Sequence, residues 1–100
     1  MWCICRKEST PALQLLQRFP HARYWDDRAY CFVAEPDNYN HTVLASDWLD
    51  ENGEPLKELA LFQKIEAEIQ ADNELAVLIS KGAASQLYRW MVNEGLIEVY

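Results

Sequence analysis

One run of the chain is apolar without a break: Leu75-Ala76-Val77-Leu78-Ile79. Asp72-Asn73 before it and Ser80-Lys81-Gly82 after it are turn-type clusters, so the run is short. Its length, with β-branched Val77 and Ile79, predicts a strand buried on both faces rather than a piece of helix. A helical pattern follows over residues 83–94, with Ala84, Leu87, Tyr88 and Met91 as the inner stripe and Gly95 as its stop. Leu96-Ile97-Glu98-Val99-Tyr100 then reads as a returning strand. Residues 75–80, the helix and residues 96–100 predict a βαβ unit with a right-handed crossover.

The upstream pattern supplies the other elements. Trp2 and Ile4 alternate with Cys3 and Cys5 in a first short strand. Thr10-Pro11 opens a helix, hydroxyl cap then proline. Leu13, Leu16 and Phe19 form its stripe, with Ala12 and Leu15 beside it. Aromatic and β-branched residues flank Asp26-Asp27, predicting a hairpin of residues 22–25 and 28–34. Residues 35–40 are a loop and 41–45 a strand. Residues 46–50 form one helical turn capped by Ser46 and closed by Asn52-Gly53. The longest helix covers residues 56–70, with Leu59, Phe62, Ile65 and Ile69 inward, Leu61 flanking, and Glu66 projecting between Leu59 and Phe62.

The expected order is therefore β-α-β-β-α-β-α-β in one domain of 100 residues. This is an α+β fold: a small mixed β-sheet with two or three helices packed mainly on one face. As an order of elements it resembles a ferredoxin-like layout with an appended αβ unit, a resemblance that implies a fold and no activity.

Charge is the next constraint. Residues 47–74 hold Asp47, Asp50, Glu51, Glu54, Glu58, Glu66, Glu68, Asp72 and Glu74 against Lys57 and Lys64, which accounts for the whole formal net charge of −7. Residues 1–28 lean slightly positive. One strongly negative flank is expected, repelling nucleic acid and anionic membrane and attracting basic protein surfaces. Met1-Trp2-Cys3-Ile4-Cys5 precedes Arg6-Lys7 and is too short for a signal peptide, and no stretch approaches a membrane span. With three cysteines, an odd number, the expectation is reduced thiols in the cytoplasm.

Motifs for chemistry are sparse. Cys3, Cys5 and Cys31 with His21 or His41 are the residues from which a metal site or a small thiol enzyme would have to be built. Cys-x-Cys is a poor zinc spacing, and small buried hydrophobes are the plainer reading of the thiols. Gly53, Gly82 and Gly95 are too dispersed for a phosphate loop. A rival parse makes residues 74–80 and 83–94 the helices of a winged-helix DNA binder. Its recognition helix would carry Arg89 alone on its outer face, too little charge for phosphates.

The expectation is a non-enzymatic binding protein without a cofactor. Its site residues are Asp47, Trp48, Asp50, Glu51, Glu54, Glu58 and Glu66, with Tyr39 and Trp25 as further aromatic anchors. Its partner is a protein with a basic surface, such as a nuclease or nucleic-acid-binding protein, and self-association as a homodimer is left open. Size and charge match stoichiometric inhibitors such as anti-CRISPRs of phage, immunity proteins of nuclease toxins and nucleic-acid mimics.

Overall fold

The structure is a computed structural model and describes residues 1–25, 29–32 and 41–97. Among them, β1 (Trp2–Arg6), β2 (Arg23–Trp25), β3 (Ala29–Phe32), β4 (Thr42–Leu44) and β5 (Ala76–Ile79) form one mixed sheet in the order β2-β3-β1-β5-β4. The helices are α1 (Thr10–Arg18), α2 (Glu58–Ala71) and α3 (Lys81–Asn93), with a 3₁₀ turn at Ala45–Asp47. The α+β class stands, with α2 and α3 on one face of the sheet and α1 on the other.

The strand at the centre is β1. It lies antiparallel between β3 and β5, with Ile4 opposite Cys31 and Val77. Trp2 and Ile4 join Phe62, Ile65, Ile69, Leu87 and Met91 beneath α2 and α3. Cys3 and Cys5 join Ala12 and Leu15 beneath α1. Alternation along five residues thus serves two cores. The run at 75–79 is covered on both faces as expected, Val77 and Ile79 on one side and Ala76 and Leu78 on the other.

Why the helices divide follows from β4. β1 and β2 are both antiparallel to β3 and so parallel to each other, joined through α1. β4 and β5 are parallel neighbours joined through α2. Both crossovers move the same way across the sheet, but on strands of opposite direction. Right-handed connection therefore puts α1 and α2 on opposite faces. Without β4, α2 would connect β3 to β5 and fall on the face of α1. The ferredoxin-like order is present in β1-α1-β2-β3-α2-β5, with β4 inserted into it.

Several expectations are corrected. Leu96 and Ile97 are bends and not strand, and residues 98–100 lie outside the described residues. The expected βαβ unit through α3 is absent among the described residues, because β5 has β1 and β4 as its neighbours. Residues 76–79 are strand, so the winged-helix parse loses its supporting helix. α1 is capped by Ser9 rather than Thr10, its side chain accepting from the Ala12 N–H. The helix turns Ala12 and Leu15 inward, leaving Leu13 exposed. α2 begins at Glu58, and its buried arc of Leu61, Phe62, Ile65 and Ile69 is centred toward Leu61. Leu59 is left 53% exposed at the border. α3 matches its expected inner stripe, with Ser80 as its cap and Gly95 at φ +73 ending it.

Candidate functional site

The acidic stretch splits into two halves with different fates. In the second half the carboxylates are engaged. Glu68 pairs with Lys64 at 2.8 Å one helical turn away. Asp72 Oδ2 lies 2.8 Å from His41 Nδ1, and Glu74 Oε2 accepts the N–H of Thr10 at the start of α1. Glu66 is half-buried on α2 and also has a partner.

The first half is built as a clasped loop. The backbone carbonyl of Trp48 accepts from the Leu56 N–H, Leu49 bridges Pro55, and the Asp50 N–H donates to the Glu54 carbonyl at 2.7 Å. Asp50 Oδ1 accepts the N–H groups of Asn52 and Glu54, and Gly53 takes the left-handed turn position at φ +79. Asp50 is thus partly a structural residue that holds the loop. Asp47, Glu51, Glu54 and Glu58 stand exposed with it. None of the five makes an ion pair among the described residues.

Hydrophobic surface lies within the same stretch. Leu49 is 56% exposed in the loop, and Leu59 is on the first turn of α2. Leu59 departs from expectation, since it carries the helical period of a core residue, whereas Leu49 has no periodic signal. Glu58 itself adopts φ +49, a left-handed conformation that costs a side-chain-bearing residue roughly 1 kcal/mol. Trp48 is half-buried on the core, with Lys64 Nζ 5.6 Å above its ring.

Trp25 is corrected as a surface anchor. It is 2% exposed and tilted against Phe62 at 5.1 Å between centroids, because β2 turns it into the larger core. Phe62 also meets Trp90 at 5.8 Å, so much of the aromatic content fills this core. Tyr39 lies outside the described residues.

The thiol and imidazole candidates are dispersed. Cys3 and Cys5 are thiols with no solvent exposure. The ladder sets Cys31 opposite Ile4, out of step with both. His21 is exposed in a turn, and His41 is bonded to Asp72. Among the described residues no three of His, Cys, Asp and Glu come together as a metal site requires. No helix among them is long and apolar enough to cross a membrane. No protein-family model, curated protein or solved structure matches the chain.

Proposed function

We propose that the protein is a non-enzymatic binding protein whose loop 47–58 occupies a basic site on a partner protein, as a stoichiometric inhibitor of the anti-CRISPR or toxin-immunity kind would. One observation carries the reading: five exposed carboxylates, none with an ion pair among the described residues, stand on the clasped loop and at its two ends, while the later acids of α2 and its exit are tied to neighbours. A run of exposed like charges without counter-charges is a gain to an oppositely charged partner. Leu49 and Leu59 supply apolar contact amid the charge, the mixture found at protein interfaces.

The test is association kinetics with a partner isolated from the source cell on the immobilised protein. The on-rate should fall steeply as salt rises, because the Debye length shrinks from about 10 Å at 0.1 M to about 3 Å at 1 M. Glu51→Gln with Glu54→Gln should lower it at least about tenfold at low salt. An on-rate indifferent to salt and to these changes refutes the reading.

A further inference from the structure

Asn52-Gly53 stands at the tip of the clasped loop, and both residues are exposed. Of the five asparagines in the chain, Asn52 is the one followed by glycine. Asparagine is thermolabile because the backbone nitrogen of the next residue can attack its side-chain carbonyl. A side chain on that residue hinders the approach, and glycine has none. The space beside Gly53 is open, with nothing within 4 Å of where a Cβ would stand. The Asn52 side chain makes no hydrogen bond among the described residues. Asn73 and Asn93 differ. Asn73 Oδ1 accepts from Arg6 at 2.8 Å, and the Glu74 N–H that follows is bonded to Asp72 Oδ1. The Glu94 N–H, after Asn93, is bonded to the Trp90 carbonyl at the end of α3. Asn38 and Asn40 lie outside the described residues and precede Tyr39 and His41.

We propose that Asn52 is a site of spontaneous deamidation, which adds a sixth carboxylate to residues 47–58. The Gly53 nitrogen attacks Asn52 Cγ and forms the new C–N bond of a cyclic imide. The proton of the Gly53 amide passes to solvent base, and the side-chain nitrogen leaves as ammonia. Water then adds to either ring carbonyl and opens it, giving aspartate or isoaspartate. Water is the co-reactant, nothing is oxidised or reduced, and the formal net charge of −7 falls by one unit. In the isoaspartyl product the backbone runs through the former side chain, which lengthens the loop by a methylene between Asp50 and Glu54. The Asp50 clasp sets the pace. The Gly53 N–H donates to the Asp50 carbonyl at 3.1 Å, and Asp50 Oδ1 holds the N–H groups of Asn52 and Glu54 on either side. The Gly53 nitrogen must leave that bond to react, and an exposed turn opens locally at little cost. The reaction needs no partner, so it stands apart from the binding function proposed above.

The experiment is prolonged incubation of the intact protein in mildly alkaline buffer, below its unfolding temperature. Ion exchange reads the charge, and peptide mapping by mass spectrometry reads the position. One more acidic species should accumulate, with the amide-to-acid mass gain and a mixture of aspartyl and isoaspartyl peptide at residue 52. It should form faster as pH rises, and severalfold faster in the urea-unfolded chain. Asn52→Gln should lose it, because the larger ring that glutamine would have to form closes far more slowly. Absence of the species from the folded protein, first appearance at another asparagine, or persistence in Asn52→Gln overturns the proposal. Equal rates in the folded and unfolded chains overturn the role given to the Asp50 clasp.

Discussion

His41 Nδ1 lies 2.8 Å from Asp72 Oδ2, joining the residue before β4 to the C-terminal cap of α2. The backbone carbonyl of the same histidine accepts the Ala76 N–H at the start of β5, so one residue holds both ends of the turn between α2 and β5. Asp72 Oδ1 takes the Glu74 N–H at 3.0 Å. That backbone hydrogen bond first, and then the hydrogen bond with His41, hold the Asp72 carboxyl below its ordinary value of 3.8; they outweigh desolvation, and the charge of His41 adds least. A carboxylate whose folded pKa is lowered adds stability above its unfolded pKa and loses it as pH falls through the folded one. Asp72→Asn should therefore lower the urea midpoint at pH 7. The gap to the native protein should narrow steadily below about pH 4, read by parallel denaturation curves.

Leu15 and Leu13 sit two residues apart on α1 with opposite environments, 0% and 53% exposed. Leu15→Ala leaves a cavity against Cys3, Cys5 and Ala12 and should cost ~3 kcal/mol of unfolding free energy. Leu13→Ala should stay within ~0.5 kcal/mol. Equal costs would mean that α1 packs by the stripe read from its sequence.

The helix ends can be tested separately. Ser9→Ala removes the acceptor for the Ala12 N–H at a position 3% exposed, and should cost ~1 kcal/mol. Gly95→Ala meets no steric obstacle, yet the backbone there is left-handed, so a loss of ~1 kcal/mol is expected from conformation alone. Thermal or urea unfolding measures both.

Neutralising the loop should not harm the fold. Glu51→Gln with Glu54→Gln removes no ion pair found among the described residues and lowers the local negative charge, so unfolding free energy should remain within ~0.5 kcal/mol of the native value or rise. A large loss would show that these charges serve the fold instead of a partner.

Cys3 and Cys5 should resist thiol reagents until the sheet opens, because both lie at 0% exposure on the central strand. Peptide mapping after alkylation should show them modified at the rate of unfolding, rising with urea. Rapid labelling of either in native buffer would revive the reading of a reactive thiol site.

Much of the secondary structure was legible without coordinates because its signals are local. Alternation at Trp2-Cys3-Ile4-Cys5, the bounded run at 75–79, the stripe of α3 and Gly95 each depend on neighbours within a few residues. Leu59 and Leu13 were misplaced since a helical period gives the apolar arc but not which border of it meets the sheet. The candidate site was half legible. Composition located the acids, but whether a carboxylate is paired depends on distant groups such as His41 or the Thr10 N–H.

By itself, then, the chain determined where most of its strands and helices form, that Cys3 and Cys5 alternate with core residues, and that its negative charge gathers in one stretch. Only tertiary structure decided that β1 and not β5 is central, that α1 and α2 take opposite faces, that Trp25 is interior, and that the carboxylates of residues 47–58 make no ion pair among the described residues. The division has a physical cause. Backbone propensity and side-chain period act over a few residues, whereas strand order, burial and ion pairing are settled by contacts between segments tens of residues apart.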